Sequence, residues 1–158
     1  MAEAAVRKVQ AAMIAAIAVE VAAAGRALHA FPDRTAAEPL SEGEWPGYMI
    51  RYEVKFGLAP DGGQYFNQAT FTFECQSGNT VDGSFDKINQ QSITDISNAL
   101  QADASLGGLL EDIQPIGSDV TQSESSDVGS AVLQVVASYY TLIHDHSTIV
   151  GVGGQLFP

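Results

Sequence analysis

Between residues 4 and 28, apolar side chains recur at Val6, Val9, Met13, Ile17, Val21, Ala24 and Leu28, three or four positions apart. That spacing places them on one stripe of a helix. It predicts a helix over about Ala4–Ala27, with Gly25 near its end and Pro32 beyond it to prevent continuation. The period then changes. Tyr48, Ile50, Tyr52, Val54 and Phe56 alternate with Met49, Arg51, Glu53 and Lys55, as on a strand with one apolar face. Ala69, Phe71, Phe73 and Cys75 alternate in the same way with Thr70, Thr72 and Glu74. Two antiparallel strands, Tyr48–Phe56 and Ala69–Cys75, are therefore predicted. Gly57–Gln68, which contains Pro60-Asp61-Gly62-Gly63, is expected as a long loop between them.

A second helix is predicted over Phe85–Gln101, where Ile93, Ile96 and Leu100 form a stripe, Ser84 stands at the capping position and Asp86 lies in the first turn. It runs into Leu106-Gly107-Gly108-Leu109, whose glycines permit left-handed backbone. Ile113–Ile116, interrupted by Pro115, reads as a short edge strand, and the Ser-, Asp- and Glu-rich Ser118–Ser130 as an exposed loop. Ala131–Ile143 carries Leu133, Val135, Ala137 and Tyr139 on one face and Val132, Val136, Tyr140 and Leu142 on the other, the pattern of a strand buried on both sides. The predicted class is α/β of the α+β kind: a mainly antiparallel sheet of about four strands packed against two helices. It occupies a single domain over 1–143, followed by a flexible glycine-rich tail over 144–158.

Composition adds to this picture. Hydrophobic residues make up 46% and charged residues 16% of the 158 positions, which excludes a disordered chain. So low a charged fraction points to a surface partly covered by neighbours. The net charge of −12 is uneven: residues 57–158 hold twelve acids against Lys87 alone. That part offers no basic patch for phosphates, so a DNA-reading groove is not expected. The alanine-rich run Ala11–Ala24 follows Arg7 and Lys8 as a secretory signal would, but Glu20 breaks it and it is too short to span a bilayer. An amphipathic helix and no membrane association are expected.

Few residues suggest catalytic or metal chemistry. His144-Asp145-His146 has metal-ligand residue types, yet the one other histidine, His29, falls in the predicted first helix, and polar residues leaving a strand end account for the triplet. No serine lies in a Gly-x-Ser-x-Gly elbow, Gly151-Val152-Gly153-Gly154 lacks the lysine and hydroxyl of a phosphate loop, and Cys75 reads as a buried strand residue. No catalytic residue, metal or cofactor is expected. Trp45-Pro46-Gly47-Tyr48 has two readings: aromatics anchoring a strand start in the core, or an exposed anchor at a subunit interface.

The order of elements resembles the tail terminator proteins of long-tailed bacteriophages. The resemblance covers about residues 5–143. It rests on the N-terminal helix, the connection Glu44-Trp45-Pro46-Gly47-Tyr48-Met49-Ile50, the strand Ala69–Cys75, the helix Phe85–Gln101 with Leu106-Gly107-Gly108-Leu109, and the closing strand with Val135–Tyr140. The long Gly57–Gln68 loop, the acidic Ser118–Ser130 loop and the tail depart from the family's pattern. The resemblance implies a non-enzymatic ring, as a rule hexameric, located in the virion between tail and head. Such a ring caps the tail tube, ends its polymerisation and docks to a head-completion or neck protein, and genome DNA passes through without specific binding. In that setting Trp45, Pro46, Tyr48 and Met49 are expected at the subunit interface, with residues 1–30 and 57–68 as further contact regions. Asp61 and Asp82 are expected to line the channel. A head–tail connector or tail-tube subunit is the alternative, and a small acidic enzyme or ligand-binding domain a more distant one.

Overall fold

The computed structural model describes residues 3–34, 39–59, 62–122 and 128–158. The first helix, α1 (Ala5–Ala23), buries Ala5, Val9, Met13, Ile17 and Val21, one residue per turn along the predicted stripe. It ends before Ala27 because Gly25 takes a left-handed φ of 71°. His29 is not helical: it opens a short strand, β1 (His29–Phe31), which pairs in parallel with Gly47–Met49.

The strap Pro39–Pro46 contains a single 3-10 turn, Glu42–Glu44, closed by a reciprocal Ser41–Glu44 box and by the Arg34–Glu44 ion pair at 2.7 Å. Then comes β2 (Gly47–Leu58), paired antiparallel with β3 (Gln64–Gly78) without interruption from Gly47↔Gln76 to Leu58↔Tyr65. The expected long loop over Gly57–Gln68 is thereby corrected, since most of it is strand. Alternation of Phe56, Leu58 and Tyr65, Asn67 continues the ladder up to Ala59, whose N–H donates to the Gln64 carbonyl at 2.9 Å.

Helix α2 (Phe85–Ala102) is capped by Ser84, whose hydroxyl accepts the Lys87 N–H, and buries Ile93, Ile96, Ala99 and Leu100. The leucine–glycine turn is left-handed as expected: φ is 48° at Leu106, 75° at Gly107 and 90° at Gly108. Asp103 holds this turn by accepting from the Ser105 and Gly107 N–H groups, and Leu109 and Leu110 then drop into the core.

Two further strands differ from expectation. Strand β4 (Asp112–Gln122) is eleven residues long, so the predicted exposed loop Ser118–Ser130 is largely strand. Only 123–127 within it lie outside the described residues. Strand β5 (Val128–Leu142) pairs with β3 on one side and β4 on the other. Its burial alternates: Ala131, Leu133, Val135, Ala137 and Tyr139 are fully covered, whereas Val132, Val136 and Tyr140 are half-buried. The residues past 143 are not a trailing tail. They form β6 (Asp145–Val150), a 3-10 turn, and β7 (Leu156–Phe157), with Ile149 in the core and Lys8 of α1 bonded to the Ser147 carbonyl.

The result is an α+β fold with one seven-stranded sheet, not four strands, in the order β1-β2-β3-β5-β6-β7, with β4 beside β5. All pairings except β1–β2 are antiparallel. Helix α2 lies on β3 and β5, and α1 packs against α2 and β6, so both helices cover one face. The core between them is a single cluster that includes Tyr48, Phe71, Phe73, Ile96, Leu110, Ile113 and Tyr139.

Candidate assembly surface

The helices do not cover the whole length of the sheet. In β2 the first four residues are buried, but from Arg51 onward only Val54 retains partial cover. The distal half of β2 is therefore an exposed arm along the edge of the sheet, while β3 beside it stays paired with β5 as far as Gln64↔Leu142 and buries Asn67 and Ala69. Tyr52, Phe56 and Leu58 on this arm are 39%, 62% and 63% exposed. Phe56 meets Tyr65 edge-on, and the imidazole of His146 stacks on Tyr65 with centroids 5.0 Å apart and an interplanar angle of 16°. Exposed apolar clusters of this kind are candidates for contact with a protein, a membrane or a ligand.

The outer edge of β2 is also unpaired. β1 covers only Gly47–Met49, so on the side away from β3 no strand among the described residues pairs with Ile50–Leu58. The opposite side of the sheet has the same character. Among the described residues β4 pairs with β5 alone; it is broken by a bulge between Pro115 and Gly117 and exposes Ile116 and Val120. Such edges present backbone N–H and C=O groups to any incoming strand, although on β4 the Val120 N–H already donates to Asp119 Oδ1.

The residues expected at a subunit interface are placed differently. Tyr48 is 1% exposed, with its ring 6.0 Å from Phe73 and its phenol pushed well up by burial, and Met49 is 3% exposed. Both are already covered within one chain. Trp45 and Pro46 are half-buried in the strap; the indole N–H donates to the Leu40 carbonyl at 3.2 Å and the ring lies over Gly78. Of the two readings of this patch, anchoring of the strand start is the one seen. Asp82 sits exposed in the turn Thr80–Gly83, with its N–H bonded to the Thr80 hydroxyl. Asp61 lies outside the described residues.

His144-Asp145-His146 forms no metal site. Asp145 turns back to accept from the Ser147 and Thr148 hydroxyls, chiefly Ser147, which holds its carboxyl down at about 2. Among the described residues no three His, Cys, Asp or Glu side chains converge as metal ligands. A shallow cavity of about 270 Å³ beside the strap is lined by Arg34, Met49, Arg51 and Glu74 among others, and one carboxylate oxygen of Glu74 is buried without a hydrogen-bond partner. No helix among the described residues is long and apolar enough to cross a membrane.

Sequence reasoning missed the full length of β2 and of β4. The alternation from Tyr48 through Leu58 signals the arm. In β4 the bulge breaks the two-residue period, so Asp112–Gln122 reads as loop. No protein-family model and no curated protein matches this chain.

Proposed function

We propose that this chain is a structural virion protein of the tail terminator kind. It forms a ring, hexameric as in the family it resembles, that caps a phage tail tube, ends polymerisation and joins the tail to the head. The observation that carries this reading is the exposed arm of β2 at the sheet edge, with Phe56 and Leu58 more than 60% exposed. A ring subunit needs surface that only its assembly covers, and the order of elements agrees with the resemblance. The contact role expected of 57–68 stays with the arm and passes from loop to strand.

A stack of identical tube rings has no intrinsic stop, so the capping ring must present a face the next tube ring cannot bind. The acidic balance, −12 overall, suits passage of DNA without adhesion. The test is a phage lacking this protein. Filled heads alongside tubes that overgrow and remain unjoined support the reading. Tails of normal length joined to heads refute it and favour a connector or tube subunit.

A further inference from the structure

We propose that the free edge of β2 in one copy pairs antiparallel with the free edge of β4 in a second copy, so that the sheet continues from subunit to subunit. This rests on the self-assembly part of the terminator reading and specifies its contact. The two edges have opposite orientation within the chain, because β2 is antiparallel to β3, β3 to β5, and β5 to β4. A copy placed beside β2 with its sheet in the same orientation therefore offers β4 in the antiparallel sense, without inversion.

Charge selects the occupant. Of the seven cations, Arg7, Arg26 and Arg34 are held in ion pairs and Lys8 is bonded to backbone carbonyls. Of the three that remain, Lys87 lies apart in the first turn of α2, and Arg51 and Lys55 stand exposed together on the β2 edge with no ion pair among the described residues. They point to the face of the sheet away from the helices, opposite Thr72 and Gln68 of β3. On β4 the residues of that same face include Asp112 and Asp119, which also lack an ion pair among the described residues, Asp119 accepting only the neighbouring Val120 N–H at 2.8 Å. In a protein of net charge −12, most other surfaces of a second copy repel, and these two edges attract.

The apolar side chains agree with the charges. With Arg51 opposite Asp119 of the second copy, Tyr52 falls diagonal to Val120 on the helix side of the sheet. Allowing for the bulge, Lys55 falls diagonal to Asp112. Tyr52 and Val120 are 39% and 40% exposed in the single chain, and this register covers both. Pro115 and the bulge interrupt the β4 edge, which opposes sliding into other registers. Each copy uses both edges, so the contact is head-to-tail, as a closed ring requires.

The experiment reverses charge at each edge separately and then together. Native mass spectrometry and sedimentation velocity are measured at high protein concentration on the full chain. Arg51→Glu with Lys55→Glu, and separately Asp112→Lys with Asp119→Lys, are each expected to weaken association at least tenfold, and the chain carrying all four to recover it. An independent pair, Glu53→Cys with Gly117→Cys, is expected to give covalent ladders on oxidation. Within one chain these positions are separated by three strand spacings, about 14 Å, too far for an intrachain disulfide. Association unchanged by either reversal, or oxidation without ladders in a chain that does associate, overturns the edge pairing and leaves the terminator reading standing. A parent chain that stays monomeric at every concentration also overturns it. The phage deletion decides the terminator reading separately.

Discussion

Trp45 occupies the space above Gly78 that any side chain there would need: a β-carbon at Gly78 would overlap the indole ring. The contact pins the strap Pro39–Pro46 to the far end of β3 and explains why the aromatic patch before β2 is structural. Gly78→Ala should expel the ring and cost about 1–3 kcal/mol through overpacking. As Trp45 is the only tryptophan, its fluorescence should shift to the red in the variant. Gly43→Ala, with open space around it, should leave both stability and emission unchanged.

A second tether joins the end of α1 to α2. Arg26 donates from Nε to Asp95 Oδ2 at 2.8 Å and from a terminal nitrogen to the other oxygen. The Asp95 side chain is 3% exposed and the Arg26 side chain 44%. Removing the cation strands a buried carboxylate, whereas removing both charges does not. Arg26→Met should therefore lower the thermal midpoint by about 5 °C, and Arg26→Met combined with Asp95→Leu by less, as read by calorimetry.

How far the sequence reached follows from where burial and period coincide. Met13, Ile17, Phe71, Phe73, Ile96 and Leu100 were legible as core because their periodicity matches the face they bury. The left-handed turn at Leu106–Gly108 was legible from its glycines. The arm was truncated in the reading because Gly57 and Pro60-Asp61-Gly62-Gly63 carry turn chemistry, although only the end of that run closes the hairpin. Strand β4 was hidden by its bulge. β6 was hidden because Asp145-His146-Ser147-Thr148 is polar, and only Ile149 and Val150 enter the core. The free edges are a property of topology, and no local pattern announces them.

Cys75 should be inert in the folded protein. It is completely buried between strands, and burial, with a smaller push from Glu74, raises its thiol to about 12 from an ordinary 9.0. The folded state thus keeps its proton where the unfolded chain loses it. Stability contributed by this group is intact below pH 9 and declines as pH rises from there toward 12. Iodoacetamide at pH 8 should label Cys75 only after denaturant is added, as followed by mass spectrometry.

Three lowered carboxylates set the acid limit, Asp103 among them through its hydrogen bond from the Ser105 hydroxyl. Glu44 is held at about 2, first by its hydrogen bond from Arg34 and then by the Ser41 N–H. Asp145 is held at about 2 by Ser147 and Thr148. Depressed folded values mean stability fully present above the ordinary carboxylate range and lost as pH falls from there toward 2. Urea midpoints should be level from pH 7 to 5 and fall below pH 4. Asp145→Asn should flatten part of that fall and lower the plateau.

The arm should separate folding from assembly. Leu58 is 63% exposed, so Leu58→Ser removes little buried area and should change stability by less than about 0.5 kcal/mol. Phe73 is fully buried, and Phe73→Ala should cost about 3–5 kcal/mol. If the arm is covered only on assembly, the order reverses for association. Leu58→Ser, together with Phe56→Ser, should leave a folded chain whose oligomer dissociates at concentrations where the parent remains assembled. Circular dichroism melts and sedimentation velocity on the same samples check both halves. A doubly substituted chain that melts with the parent and assembles with it would show that the exposed apolar arm is not a subunit contact.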